Sequence, residues 1–141
     1  MSKIAVVYWS GTRNTEARAN AVAAGAQEAG ALVELLPASE FGTDRMDSFD
    51  AVAFGCPSMG VEQLEEDVFA PMFAGCEPKL GGKRIALFGS YGWGDGEWMR
   101  SWEAVCQRLG AQLVCDSVIC NGAPDISGEA ACHAMGEALA E

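Results

Sequence analysis

A donor-rich loop wedged between an apolar run and an alanine-rich segment sets the terms on which this chain can fold. Ile4-Ala5-Val6-Val7 is apolar without a break, as in a strand buried on both faces. Ala17 to Ala29 has the composition of a helix. The connecting stretch, Tyr8-Trp9-Ser10-Gly11-Thr12-Arg13-Asn14-Thr15-Glu16, is short, so the order is strand, tight loop, helix. Four side-chain donors, Ser10, Thr12, Asn14 and Thr15, fall within six residues, interleaved with Gly11 and Arg13. Backbone N–H groups at the helix start add donors and a partial positive charge, and together they suit an anion, above all a phosphate. Such residues also cap ordinary helices, but four of them exceed what one cap requires.

The alternation then repeats. Gly30 is placed to stop the first helix, and Ala31 to Leu36 reads as a second strand ending at Pro37. Residues 38–48 are polar and irregular. Asp50 to Cys56 reads as a third strand and Lys83 to Ser90 as a fourth. Residues 63–76 carry helical spacing, with Pro71 expected to kink or split the helix. Glu97 to Leu109 is a helix stopped by Gly110, and Asp125 to Ala140 is the last helix. Leu113 to Cys115 and Val118 to Cys120 belong to a fifth strand, broken near Asp116. Strands alternating with helices predict an α/β fold: a doubly wound, five-stranded parallel sheet with helices on both faces. The 141 residues are expected to form a single domain, 1–141, large enough to bury a sizeable core.

Twenty acids against nine bases leave a net charge of −11, which argues against nucleic acid or an anionic membrane as partner. No Lys or Arg follows Arg108, and none lies between Arg45 and Lys79. No apolar run approaches the roughly 20 residues of a membrane span. No signal-peptide pattern precedes the first strand, which points to the cytoplasm. Cys56, Cys76, Cys106, Cys115, Cys120 and Cys132 include no C-x-x-C pair. They read as free thiols of a reducing compartment, with no metal site or disulfide framework. His133, the lone histidine, reads as a surface residue.

Ligands of doubly wound sheets bind beyond the carboxyl ends of the strands. Three loops at those ends carry unusual residues: 10–15, 57–62 and 90–96. Trp93 stands between Gly92 and Gly94, glycines that let backbone approach whatever lies beside the ring. Met59, before Gly60, offers a polarizable partner on the opposing loop. Phosphate donors at one end and an aromatic–thioether slot at the other describe a site for a planar, phosphorylated cofactor.

Ser10 to Thr15, Met59-Gly60 and Ser90-Tyr91-Gly92-Trp93-Gly94-Asp95-Gly96 resemble the three FMN-binding segments of the flavodoxins. The similarity runs essentially end to end and is nearest to the short-chain flavodoxins of anaerobic bacteria. The resemblance implies the strand order 2-1-3-4-5, of which flavodoxin is itself the type example. It also implies that Ser10, Thr12, Asn14 and Thr15, with Gly11 and Arg13 in the same loop, bind the FMN phosphate. Met59 and Trp93 would sandwich the isoalloxazine, with Ser58, Ser90, Tyr91 and Gly94 in the flanking loops. Backbone of Gly92 and Asp95 would face the pyrimidine edge, and Glu62 would accept from flavin N3–H. The Met59-Gly60-Val61 turn would hold a peptide that responds to reduction, because glycine makes both turn conformers accessible. Arg13 departs from the family, which normally has glycine there. It would be strained at positive φ, or would temper the phosphate charge, or would simply point to solvent.

The implied function is a low-potential, one-electron carrier that uses FMN between semiquinone and hydroquinone. It would pass electrons between redox enzymes, docking as a monomer against basic surfaces of ferredoxin-type donors and acceptors. The alternative is an FMN-dependent NAD(P)H reductase, but Trp93 would occupy the face a nicotinamide needs. A receiver-type signalling domain would require an Asp at the end of the third strand, where Cys56-Pro57 stands instead.

Overall fold

In a computed structural model, residues 3–9, 13–56, 67–91, 97–121 and 126–140 are described, with backbone alone at 13, 14, 90, 91, 120, 121, 126 and 127. Strands β1 (Lys3–Tyr8), β2 (Leu32–Pro37), β3 (Ala51–Gly55) and β4 (Arg84–Tyr91) lie parallel in the order β2-β1-β3-β4. The fifth position is shared by two short strands, β5 (Gln112–Leu113) and β6 (Val118–Asn121), both parallel to β4. The order 2-1-3-4-5 is therefore as expected, and the break near Asp116 separates two pieces of one edge. Ser117 at that break donates to Glu103 at 2.7 Å.

Side chains of the central strands alternate between two cores, as a pleated sheet requires. On one face Ile4, Val6, Ala51, Ala53, Ala86 and Phe88 meet helices α1 (Arg13–Glu28) and α5 (Ile126–Ala140). The small residues there let the helices come close. A Cβ on Gly25 would fall 2.0 Å from the His133 carbonyl oxygen, and one on Gly136 would fall 2.0 Å from that of Val22. The opposite face is aromatic. Val52, Phe54, Ile85 and Leu87 pack under α2 (Thr43–Met46), α3 (Phe69–Cys76) and α4 (Glu97–Arg108), which contribute Met46, Phe69, Phe73, Trp98 and Trp102.

One expectation is corrected here. The segment 38–48 is not merely irregular: it forms a 3-10 turn at Ala38–Glu40 and then α2, and it buries Phe41, Met46 and, just beyond it, Phe49. These three apolar residues are spaced too widely for a periodic signal, and only the tertiary fold collects them. Residues 63–66 of the segment expected to kink or split at Pro71 lie outside the described residues, and Pro71 does not kink α3. It is the third residue of α3, in the first turn, where its missing N–H breaks no helical bond; the ladder begins with Met72 N–H to the Val68 carbonyl, 3.2 Å. By contrast, Gly30 and Gly110 stop α1 and α4 as read, with φ of +97° and +84°.

His133 ties α5 to α1: Nε2 lies 3.0 Å from Glu28 and Nδ1 lies 3.2 Å from Glu137. The Glu28 and then the Glu137 hydrogen bonds raise its pKa above 6.5. A raised folded pKa means that the ion pairs stabilise fully below about pH 6.5 and fade as pH rises through the higher folded value. His133→Gln is thus expected to lower the denaturant midpoint modestly at pH 6 and not at pH 9. An equal loss at both pH values in urea titrations would contradict the assignment.

Candidate functional site

The carboxyl ends of β1, β3 and β4 stand side by side. Tyr8 pairs with Gly55 and Gly55 with Phe88, and the ladder runs one step further through Trp9 N–H to the Gly55 carbonyl (3.0 Å) and Cys56 N–H to the Phe88 carbonyl (3.1 Å). With neighbouring strands about 4.8 Å apart, the three ends span about 10 Å. The three loops singled out in the sequence leave from this one edge. Ser10, Gly11, Thr12, Ser58, Met59, Gly60, Val61, Glu62, Gly92, Trp93, Gly94 and Asp95 lie outside the described residues. Tyr91, read as loop, is the last residue of β4, so Ser90 and Tyr91 both carry strand backbone beside Cys120 and Asn121 of β6.

The first loop is shorter than expected, because α1 starts at Arg13. Arg13 and Asn14 are thereby helical residues, and the left-handed conformation that would strain an arginine does not arise. Thr15 is fully buried in the same turn. Hence the first turn of α1 brings a buried hydroxyl and the N–H groups of a helix start to the edge of the sheet. Neutral donors at the positive end of a helix fit a phosphate.

The floor under the other two loops is closely packed. Gly89 of β4 faces the Cys56 carbonyl so tightly that a Cβ would lie 2.2 Å from its oxygen and 3.3 Å from Trp98 Cζ2. Trp98, almost wholly buried in the first turn of α4, directly follows the loop that carries Trp93. Trp102, one turn on, meets Phe69 and Phe73 edge-on at 5.4 and 5.6 Å. Neither tryptophan was singled out from sequence; their i, i+4 spacing behind a glycine-rich loop was the available signal.

The field at this edge is negative. Partial burial, then Glu16 and Glu40, push the Tyr8 phenol above its usual range, so it stays neutral. The thiols away from the edge are also inert: burial lifts Cys76 to about 11 and Cys106 to about 12. No group of three or more potential metal ligands occurs among the described residues.

Comparison with known proteins agrees with this arrangement. The family model described as Flavodoxin matches residues 6–136. The chain is 44% identical to the flavodoxin of Megasphaera elsdenii over 138 residues, covering 98% of each. It is 41% identical to that of Clostridium beijerinckii over 135 residues, covering 96% of this chain and 97% of the relative. The solution structure of two-electron reduced Megasphaera elsdenii flavodoxin superimposes with a TM-score of 0.89 at 45% identity, covering 97% of this chain and 98% of that one. With the sheet order, the shared strand edge and the phosphate-type helix start in place, the chain belongs to the flavodoxin family, small electron carriers that bind FMN.

Proposed function

We propose that this protein is a low-potential, one-electron carrier that holds FMN phosphate-first on the edge formed by β1, β3 and β4. The level ends of those three strands support the reading, because loops 10–15, 57–62 and 90–96 follow directly on them in the chain. Ser10, Thr12, Asn14 and Thr15 would hold the phosphate, Met59 and Trp93 would flank the ring, and Glu62 would accept from its N3–H. Bound FMN supplies stepwise uptake of two electrons. The chain decides how readily the second is accepted. Each acid about 10 Å from the added charge, at an effective dielectric near 20, opposes it by roughly 1–2 kcal/mol. Two such acids lower the potential by on the order of 100 mV, since ~59 mV is a factor of ten for one electron. Glu62, Glu65, Glu66, Asp67, Asp95 and Glu97 crowd the loops concerned. Reductive titration of the FMN-loaded protein is expected to resolve two one-electron steps, the second strongly negative. A single two-electron wave, or consumption of NAD(P)H by the protein alone, would favour the reductase instead.

Charge placement supports docking through this edge to basic partners. At the opposite edge, Lys3 and Arg84 begin β1 and β4, Lys79 pairs with Asp47 at 2.7 Å, and Lys83 holds the Met46 carbonyl at 2.8 Å. Arg84 caps α5, donating to the Ala138 carbonyl at 3.0 Å. Four of the nine bases, Lys3, Lys79, Lys83 and Arg84, thus lie at the amino ends of the strands, whereas Glu62, Glu65, Glu66, Asp67, Asp95 and Glu97 belong to the segments that follow the other end. A monomer so polarised presents that edge to a basic redox enzyme during diffusional approach. Its reduction rate by such a partner is expected to fall steeply between ~10 mM and ~0.5 M salt, as the screening length shrinks. A flat profile by stopped flow would remove the steering role. Five described cysteines form no disulfide and four of them are buried, which supports a reducing, cytoplasmic setting. No described helix is long and apolar enough to cross a membrane.

A further inference from the structure

We propose that Arg18, buried within α1, supplies positive charge to the phosphate site and makes the protein favour a phosphorylated flavin over an unphosphorylated one. This rests on the reading of FMN at the start of α1.

Arg18 is fully buried. Arginine is almost never fully buried unless its charge is paired, because removing a cation from water is costly. It lies on the inward stripe of α1 with Thr15, Ala19, Val22 and Ala26, all of them buried as well. Further along that stripe the helix packs with alanine and valine. Packing alone is thus met by apolar side chains, and only the arginine brings charge.

Its position along the helix gives that charge a target. Arg18 follows the first helical residue, Arg13, by five positions, a rise of about 7.5 Å. Helical side chains lean toward the amino end, and arginine is long enough to carry its guanidinium back by about one turn. That turn holds buried Thr15 and the helix-start N–H groups. Contacts inside the protein engage Arg18.

The rest of the edge explains why a cation is useful. Glu16 and Glu40 both act on Tyr8 there, and the whole chain carries −11. Such a field opposes a phosphate dianion. A buried cation offsets it without giving up the acidic rim, and burial shields its field from salt far better than exposure would.

The test compares FMN with riboflavin, which differs only by the phosphate. Both affinities are measured for the wild type and for Arg18→Met, an apolar replacement of similar length. Arg18→Met is expected to weaken FMN on the order of tenfold, as a charge lost from about 10 Å predicts, and to leave riboflavin unchanged. Inorganic phosphate should also raise the melting temperature of the FMN-free wild type more than that of the variant. Equal losses for FMN and riboflavin, or no loss for either, overturn the proposal. If Arg18→Met does not fold, the wild type alone decides: its preference for FMN over riboflavin should survive ~1 M salt, which screens exposed charges but buried ones much less. A preference that disappears in salt overturns the role of a buried charge. A wild type that binds neither flavin removes the cofactor reading itself, which is a separate result.

Discussion

Gly89→Ala is expected to cost the protein both stability and its hold on FMN. The new methyl group would sit 2.2 Å from the carbonyl oxygen of Cys56, a backbone atom that cannot swing aside, and 3.3 Å from the Trp98 ring. Relief requires β3 and β4 to separate at their carboxyl ends, where Cys56 N–H is bonded to the Phe88 carbonyl. Overpacking of this kind costs about 1–3 kcal/mol. The chain enters 57–62 and 90–96 from those two ends, so their points of departure should move apart. We expect FMN affinity to fall at least about tenfold, since ~1.4 kcal/mol of lost contact already has that effect. Gly75→Ala is the control: a Cβ there meets nothing within 4 Å, and alanine in a helix is favoured by roughly 1 kcal/mol. Fluorescence titration with FMN and thermal melts on both variants settle the matter. Gly89→Ala with wild-type affinity and melting temperature would show that the strand ends tolerate separation.

Phe54→Ala should give the largest loss of stability with little direct effect on the cofactor edge. Phe54 is fully buried at the centre of the aromatic core. Its ring meets Phe73 edge-on at 5.1 Å and Phe41 at 6.2 Å, so its removal leaves a cavity that three elements line. Phenylalanine-to-alanine changes at such sites cost about 3–5 kcal/mol. For a chain of this size that corresponds to a fall in melting temperature on the order of 10 °C. Phe54→Leu should recover much of it by filling part of the space. A loss below about 1 kcal/mol for the alanine variant in denaturant titrations would mean that the core collapses around the gap far more readily than its edge-to-face packing suggests.

The same residues show where sequence reading reached and where it stopped. The three central strands were legible because a parallel strand covered on both faces needs an unbroken apolar run, and Ile4 to Val7, Ala51 to Phe54 and Ile85 to Phe88 are such runs. The interrupted edge at Asp116 was legible for the converse reason. Residues 38–48 were not: Phe41, Met46 and Phe49 follow no helical or strand period, and their burial follows from where β2 and β3 leave the connecting chain. The effect of Pro71 was not legible, because its cost depends on its distance from a helix start that the sequence did not mark. At the candidate site, the residue types of the three loops were visible in one dimension. Arg18 was not, since an arginine in an alanine-rich helix gives no sign by itself of which way it faces.

The amino-acid sequence determined the alternation of strand and helix, the donor-rich composition of the first loop and the acidic character of the chain, because period, composition and net charge are local or additive quantities. Register and burial are neither. Only the tertiary structure could decide that Tyr8, Gly55 and Phe88 stand in one row, that Gly89 closes against Cys56, and that Arg18 is sealed inside, since each depends on contacts between segments far apart along the chain.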